Sequence, residues 1–239
     1  MTGVLVSNNV VSGNQGTAGV AMFRAQAGVF DGNTSTGNVH NGFHLAESDD
    51  NRFTGNTSTE NGADGFSLHG GSGNEFLSNR CSGNGTYGFV LNASLAATSG
   101  NTVAWNRISD NGFEGIALVF GASSNEVIGN VSQGGDFEGI SLFFGSDHNV
   151  IRANVLTGNA SSGVLLVQSS YNSIIANRSM QNNTQGHDNA GGIALVEGSS
   201  FNEVGRNVAC ANNNADGYSD GTGSGNVWQA NVLCTTIGI

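Results

Sequence analysis

The chain has 239 residues and a formal net charge of −11, although only 10% of its residues are charged. Its seven lysine-plus-arginine positions are all arginines and it contains no proline. It therefore lacks the basic surface that binding to nucleic acid or to an anionic membrane requires. No apolar run approaches the length of a membrane span, so the sequence predicts neither a nucleic-acid nor a membrane partner.

A six-residue phrase, Asn-x-apolar-x-x-Asn, recurs along almost the whole chain, for example from Asn51 to Asn56 around Phe53. A second Asn usually follows five residues later, and Gly135 is the exception. Such a fixed period is typical of proteins built from stacked structural repeats. The closing asparagines, roughly two dozen residues apart, are Asn14, Asn33, Asn56, Asn79, Asn106, Asn130, Asn154, Asn177, Asn207 and Asn231.

Each repeat then contains a strand-like phrase, Gly-apolar-x-Leu, such as Gly65-Phe66-Ser67-Leu68. Apolar and variable residues alternate, which indicates strands with one buried face, and no segment has the apolar spacing of a helix. A repeat this short cannot bury its apolar side alone, so equivalent strands of successive repeats must pair in parallel. The prediction is one all-β domain, residues 1–239, forming a parallel β-solenoid of about nine to ten coils.

The repeated asparagines are predicted to be structural. Asn at a corner tolerates left-handed backbone angles, and its amide can bond to the Asn one coil above or below, about 4.8 Å away. This explains a column of one residue type and assigns these asparagines no catalytic role.

The phrases resemble the right-handed parallel β-helix repeats of the pectate-lyase-like superfamily. The similarity is greatest to the Asn- and Gly-rich repeats of carbohydrate-binding and sugar-hydrolase domains and of NosD-like periplasmic proteins. It covers essentially the whole chain and implies a right-handed parallel β-helix. It does not imply one function, because this architecture carries lyases, hydrolases, epimerases, adhesins and non-enzymatic scaffolds.

Several catalytic motifs of that superfamily are missing here. The chain has no lysine, and no arginine falls in the outward columns of the Gly-x-x-Leu strands, unlike in polyuronate lyases. The motif of polygalacturonase-like hydrolases, a pair of aspartates followed by a Gly-His-Gly phrase and an Arg-x-Lys phrase, is absent. A chain without proline cannot contain the Asp-Pro-His-Asp-type motif of alginate epimerases. No catalytic set therefore transfers to this sequence, and an anionic polysaccharide is disfavoured as its ligand.

The two ends of the chain carry separate signals. Gly3-Val4-Leu5-Val6 already resembles the strand phrase, so we expect either a fragment of a longer chain or an end covered by another chain. Cys210 and Cys234 each follow a repeat Asn by three residues and should lie one above the other, either as a disulfide or as two reduced side chains. A disulfide favours a secreted or periplasmic protein, and reduced thiols favour a cytoplasmic one.

Two coils are longer than the others, at residues 92–100 and 183–191. The first extends the segment after one Gly-x-x-Leu strand and the second the segment before another, so both should border the sheet built from those strands. Insertions in solenoids commonly flank the binding face. The position before each Gly is predicted to face outward on this sheet, at Asn41, Asp64, Tyr87, Glu114, Glu138, Ser162, Gly191 and Asp216.

Glu114 and Glu138 are the candidate acid–base pair. Both precede Gly-Ile, so their carboxylates should lie one coil apart, about 5 Å. At that distance one pKa should rise, as a general acid needs, and the separation is that of retaining glycosidases. The alternative is that the two carboxylates splay apart on a solvated sheet. Four side chains on neighbouring coils complete the candidate catalytic set: Asp64, Tyr87, His44 and His69.

Apolar side chains at equivalent positions of adjacent coils form the candidate substrate-binding surface. These side chains have three interpretations: they contact a sugar ring or another flat ligand, they pack in the core or at the corners, or they contact a second copy of the chain. His187 and Asp188, in the longest insertion, are either binding residues or solvated turn residues. No metal-ligand spacing and no cofactor motif is present. The apolar set is Phe113, Phe137, Val119, Phe120, Phe143, Phe144 and Leu165.

The favoured function is a carbohydrate-directed β-helix that binds or processes a neutral or weakly charged glycan on the face of the Gly-x-x-Leu sheet. If the protein is an enzyme, the paired carboxylates predict acid–base chemistry of the hydrolase, lyase or isomerase type. One alternative is a cyclase- or isomerase-like enzyme that holds an apolar small molecule on the same face. The other is a non-catalytic repeat scaffold. Contact with a second copy of the chain, through an uncapped end of the solenoid or through the apolar set, would give a homo-oligomer.

Overall fold

The computed structural model describes residues 2–239, and each complete coil contains three short strands separated by bends. Equivalent strands of successive coils pair in parallel, which gives three sheets of ten strands each. The predicted all-β parallel solenoid is confirmed. The described residues contain no helix, and therefore no helix that could span a membrane.

The three sheets follow one another in every coil. Sheet I contains the strands Leu5–Ser7, Val29–Asp31, Arg52–Thr54, Glu75–Leu77, Thr102–Ala104, Glu126–Ile128, Val150–Arg152, Ser173–Ile175, Glu203–Gly205 and Val227–Gln229. Sheet II contains Val10–Ser12, Thr34–Thr36, Thr57–Thr59, Arg80–Ser82, Arg107–Ser109, Val131–Gln133, Val155–Thr157, Arg178–Met180, Val208–Cys210 and Val232–Leu233. Sheet III contains Ala18–Phe23, Asn41–Ala46, Phe66–His69, Phe89–Asn92, Ile116–Val119, Ile140–Phe143, Val164–Val167, Gly191–Val196, Ala215–Ser219 and Thr236–Ile237. Gly71–Ser72 and Thr98–Ser99 form a separate short pair.

Stacked apolar side chains fill the inside of the solenoid. Phe43, Phe66 and Phe89 stack in sheet III with ring centroids 4.7 and 4.6 Å apart, and Phe30 and Phe53 stack in sheet I at 4.5 Å. All five rings are buried. Burial of such a side chain stabilises a fold by about 1.5–3 kcal/mol, so the stacking of coils supplies the core that a single repeat lacks.

Buried asparagines at the corners form hydrogen-bonded ladders along the solenoid. Asn130 is representative, because its backbone N–H and its Nδ2 both donate to Oδ1 of Asn154, at 2.9 and 3.0 Å. Its Nδ2 also donates to the carbonyl of Val103 at 2.8 Å. Buried polar groups need such partners, so the ladders allow the chain to turn three corners per coil.

The ladders depart from the sequence prediction at their first coil. Asn9 donates from Nδ2 to Asn33 at 3.0 Å and therefore starts the ladder between sheets I and II. Asn14 bonds instead to Asn38, in the ladder between sheets II and III. The assignment of Asn14 to the first ladder is wrong, because asparagines five residues apart belong to different corners of one coil.

The left-handed residue at these corners is the one before the ladder Asn. Gly55 and Gly129 have φ angles of 62° and 64°, and Ser78 and Trp105 adopt the same conformation at 54° and 58°. The expectation that the asparagines themselves supply the left-handed bend is therefore wrong at these corners. The left-handed residue precedes the Asn in the chain, and the bend that it makes directs the Asn side chain inward, into the ladder.

The last coil is closed by a disulfide and an aspartate. Cys210 and Cys234 are bridged, with Cα atoms 5.1 Å apart. Asp216 faces inward, contrary to the prediction, because it lies four residues after Asn212, at the position that Gly holds in the other coils. Its Oδ1 accepts hydrogen bonds from the backbone N–H and Nδ2 of Asn212, and its Oδ2 accepts one from the N–H of Thr235. Asp216 thus ends the ladder between sheets II and III.

Candidate functional site

The outer face of sheet III forms a groove along the solenoid. In each coil the Gly and the residue after it both face the core. The outward positions are the residue before the Gly, the residue two after it and the residue after the Leu. The middle column includes His44 and Leu165, which are half-buried, and the small residues Ser67, Ala117 and Ser141, which are fully buried although they face outward. Larger side chains in the outer columns cover them, so the middle column is the floor of the groove.

The two long segments border this groove on opposite edges of sheet III, as the sequence predicts. Residues 92–100 follow one strand of the sheet, and residues 183–191 precede another, four coils further on. In the second segment His187 and Asp188 are exposed. The imidazole of His187 is close enough to lower the pKa of Glu138, whereas no such contact connects Asp188 to the candidate carboxylates.

Glu114 and Glu138 lie on neighbouring coils at one side of the groove. The strands that follow them pair in register, and the Gly115 N–H donates to the Glu138 carbonyl at 2.9 Å. Only 6% of Glu114 and 5% of Glu138 is exposed. The pair therefore occupies a nearly dry site, and the alternative of carboxylates splayed on a solvated sheet does not fit this burial.

The surroundings give the two carboxyls different proton affinities. Burial, and after it the nearby charge of Glu138, raises the pKa of Glu114 to about 7. Burial also raises the pKa of Glu138, but the Ser161 hydroxyl, which donates to Oε1 at 2.6 Å, and the imidazole of His187 hold it down. A protonated carboxyl beside an ionised one is the arrangement of an acid–base pair.

A shallow cavity of about 150 Å³ beside Glu114 is lined by that residue, Tyr87, Phe113 and Phe137. Tyr87 packs edge-to-face on Phe113 with centroids 5.5 Å apart, and Phe113 packs likewise on Phe137 at 5.3 Å. Burial, and then the charge of Glu114, raises the pKa of Tyr87 to about 12, so its hydroxyl remains a proton donor. The cavity thus combines an apolar wall with the Tyr87 hydroxyl and the Glu114 carboxyl.

A larger depression of about 510 Å³ lies elsewhere, at the corner that Arg24 and Glu47 line. These two side chains are exposed and pair with each other at 2.8 Å. Exposed ion pairs have little effect on their surroundings, and neither Glu114 nor Glu138 lines this depression. The smaller cavity beside Glu114 is therefore the better candidate site.

The polar end of the groove is formed by imidazoles and Asp64. The rings of His44 and His69 have centroids 5.4 Å apart, and Asn41 Nδ2 lies 3.4 Å from His44 Nδ1. Burial lowers the pKa of both imidazoles, while Asp64 opposes that shift. The Thr86 hydroxyl donates to the Asp64 carboxylate. Both imidazoles are therefore mainly neutral at pH 7, when each can donate one hydrogen bond and accept another.

The apolar residues divide into two groups. Val119 is 5% exposed and packs with the half-buried Phe143 on the groove, and Leu165 is half-buried one coil further on. Phe120 and Phe144 stack on each other at 5.5 Å, about half exposed, at the corner beyond the strand ends. They are thus separated from Phe113 and Phe137 by the width of sheet III, because the chain bends immediately after its last outward residue.

Sequence reasoning missed the hydroxyls that hold the carboxylates. Ser161 and Thr86 each stand two residues before the Gly of their coil, and each donates to the carboxylate of the preceding coil, Glu138 and Asp64 respectively. The sequence did contain a signal for them, because Thr86 and Ser161 stand where other coils have Ala63, Phe113 and Phe137.

The floor of the groove contains two buried hydroxyls that sequence reasoning also left out of the site. Within residues 2–239, Ser67 Oγ and Ser141 Oγ have no partner at hydrogen-bond geometry. Ser141 does face Glu114 and weakly lowers its pKa, which indicates proximity rather than a well-formed bond. Unpaired buried hydroxyls are costly, and these two lie beneath the larger side chains of the outer columns. The described residues contain no group of three His, Cys, Asp or Glu side chains that could hold a metal ion.

Two family models match the sequence. The model described as right handed beta helix region matches residues 2–132, and the model described as periplasmic copper-binding protein (NosD) matches residues 92–237. Each match covers more than half of the chain. The chain belongs to the right-handed β-helix and NosD families. The resemblance predicted from the repeat phrases is confirmed.

Solved structures of low sequence identity share this β-helix fold. The periplasmic alginate epimerase AlgG has a TM-score of 0.68 at 15% identity, over 90% of this chain and 51% of its own. The A-module of Azotobacter vinelandii mannuronan C-5 epimerase AlgE6 has a TM-score of 0.69 at 15% identity, over 98% of this chain and 77% of its own. Pectate lyase Pel9A has a TM-score of 0.54 at 15% identity, over 100% of this chain and 70% of its own. This likeness shows the fold alone. The chain spans about half the length of AlgG. A comparison with curated protein sequences finds no match.

Proposed function

We propose that this β-helix is directed at carbohydrate and binds or processes a neutral or weakly charged glycan in the groove of sheet III, by acid–base chemistry. One observation carries the proposal: buried Glu114, its pKa raised to about 7, adjoins both a Phe-lined cavity and a second carboxyl, Glu138. The names of the similar structures, alginate epimerases and a pectate lyase, support carbohydrate as the class of ligand by analogy of fold.

Glu114 is assigned the role of general acid. With a pKa of about 7 it holds its proton about half the time at neutral pH, close to the optimum for proton transfer. It donates that proton to a glycan oxygen as the bond to that oxygen breaks. Glu138 accepts a hydrogen bond from Ser161 at 2.6 Å and remains the more acidic partner. It stabilises the positive charge that develops on the anomeric carbon until water adds there and passes a proton to the Glu114 carboxylate.

The shape of the site suits one ring of a chain that continues along the groove. Phe113 and Phe137 present apolar surface for the C–H face of a sugar ring, and Tyr87 donates to a ring hydroxyl. The cavity of about 150 Å³ is smaller than the 300–1,000 Å³ or so that encloses a typical small ligand. An extended, partly exposed ligand therefore fits better than an enclosed one.

The charge of the site favours a neutral glycan. Two glutamates and Asp64 lie along one side of the groove, on a chain of net charge −11. No arginine stands in the outward columns of sheet III among the described residues. An acidic sugar would meet uncompensated like charge there, which costs binding energy in a buried site.

Copper binding is not part of the proposal, although the NosD description names it. Among residues 2–239 no three His, Cys, Asp or Glu side chains converge, and two of the three cysteines are joined in a disulfide. His44 and His69 are adjacent but lack a third ligand of the kind copper sites use. The disulfide does support an oxidising compartment, so we infer a secreted or periplasmic location.

Binding and turnover of neutral oligosaccharides test the proposal. Calorimetry and an oligosaccharide digestion assay should be run on the wild type and on Glu114→Gln, Glu138→Gln and Phe113→Ala. Glu114→Gln should bind with little change and lose turnover, because it removes the proton and retains the shape. Phe113→Ala should weaken binding about ten-fold. Phe201→Ala is the matched control, since that ring is 52% exposed at a corner outside the groove.

Two results would contradict the proposal. Displacement of a groove-bound dye by apolar small molecules but not by glycans would favour a cyclase- or isomerase-like enzyme on the same face. Inertness toward both ligand classes, with Glu114→Gln and Glu138→Gln silent, would favour a scaffold.

A further inference from the structure

Two arginines lie side by side on the outer face of sheet II, away from the groove. Arg80 and Arg107 are direct partners in register on adjacent coils, and both are exposed. A cavity of about 250 Å³ is lined by both arginines together with Ser109, Asp110 and Gln133. Adjacent strands are about 4.8 Å apart, so the two guanidinium groups are near enough to share one ligand.

This pairing is unusual for so acidic a chain. The protein has 18 acidic residues and seven arginines, and two of the other arginines, Arg24 and Arg52, each pair with a glutamate of the next coil. Arg52 and Glu75 pair in this way, at 3.2 Å. Within residues 2–239, no carboxylate lies within ion-pair distance of Arg80 or Arg107. Two like charges one coil apart repel each other unless an anion lies between them.

The neighbours of the pair are mostly neutral hydrogen-bonding groups. Ser82 and Ser109 follow the two arginines by two residues on the same strands, so their hydroxyls face the same side of sheet II. Gln133 stands on the next coil in the same column as the serines. Asp110, at the corner, is the one carboxylate that lines the cavity. Donors therefore outnumber acceptors on this patch.

We propose that Arg80 and Arg107 form a binding site for a tetrahedral oxyanion, sulfate or phosphate, as a free ion or as an ester group on a saccharide. Guanidinium groups bind such oxygens through two parallel N–H donors each. A dianion compensates both positive charges and removes their repulsion. Ser82, Ser109 and Gln133 supply further donors. This site is separate from the groove of sheet III, and it does not depend on the function proposed there.

The test uses inorganic phosphate and sulfate, with sodium chloride at matched ionic strength as the salt control. The melting temperature and the calorimetric Kd should be measured for the wild type, Arg80→Gln and Arg107→Gln. Each substitution should weaken binding by about ten-fold or more, because each removes a charged donor pair. Both side chains are exposed, so the folded state should persist, and a far-ultraviolet spectrum without anion checks this.

Arg178→Gln is the matched control variant. Arg178 lies in the same outward column of sheet II, but its strand neighbours there are Val155 and Val208 rather than another arginine. Its replacement should leave the phosphate Kd unchanged. Equal losses in Arg178→Gln and Arg80→Gln would overturn the site in favour of general charge attraction, as would phosphate and chloride acting alike. A lower Kd for a sulfated oligosaccharide than for sulfate would identify a saccharide ester as the natural source, and equal Kd values would identify the free ion.

Discussion

Replacing Gly135 with Asn should stabilise the protein by repairing a gap in an asparagine ladder. In the ladder between sheets II and III, Asn84 Nδ2 donates to Asn111 Oδ1 at 3.0 Å. Asn111 Nδ2 has no partner and is buried, because the next coil offers Gly135 instead of an amide oxygen. The ladder resumes at Asn159, whose Oδ1 accepts the Gly135 N–H at 3.2 Å.

The magnitude follows from the groups involved. A buried polar group left without a partner costs about 1–3 kcal/mol, and replacing Gly at a compatible backbone conformation adds about 0.4–1 kcal/mol. Gly135 does not have a positive φ, and a Cβ there would meet the Phe113 carbonyl oxygen at 3.2 Å and Asn159 Oδ1 at 3.6 Å. Minor crowding and the ordering of the new side chain offset part of the gain. The expected net stabilisation is about 1–2 kcal/mol.

Urea unfolding followed by circular dichroism measures this change through the midpoint at constant slope. For a chain of this length each kcal/mol should also raise the melting temperature by about 2–4 °C. Gly135→Ala is the control, because it contributes the backbone effect without an amide. If Gly135→Asn is no more stable than Gly135→Ala, the ladder hydrogen bond does not provide the stabilisation and the reasoning is refuted.

Three further predictions concern the pH response and the last coil. The folded pKa of Glu114 is raised from 4.5 to about 7, so its contribution to stability is full below pH 4.5 and is lost as the pH rises to 7. The wild type should therefore lose about 3 kcal/mol of unfolding free energy relative to Glu114→Gln over that window, and a pH-independent difference in urea titrations would contradict it. Reduction of the bridge between Cys210 and Cys234 should increase hydrogen exchange in residues 203–239 and leave the first coils unchanged, while a variant with both cysteines replaced by Ala should not respond to reductant. Asp216→Asn should lower stability by about 1–2 kcal/mol in urea unfolding, because an amide donor then faces either Asn212 or the Thr235 N–H; an unchanged midpoint would show that Asp216 does not need both acceptors.

The placement of Glu114 and Glu138 shows how far columns can be read from the sequence. Their adjacency follows from the spacing, because each precedes the same Gly-Ile phrase in a coil of equal length. The reading failed at Asp216, where the strand phrase lacks its usual pattern and the count from Asn212 decides the position. The sequence also could not show that Phe143 faces the groove and Phe144 lies at the corner, because the bend between them is a property of the corner.

The sequence by itself determined the solenoid, because the same short phrase recurs in every coil and stacking is the arrangement that buries all copies at once. Only the tertiary structure decided which outward side chains are buried from solvent. Ser141 and Glu114 face away from the core, and yet both are buried. Their burial depends on the size of side chains in neighbouring columns and coils, and no single repeat contains that information.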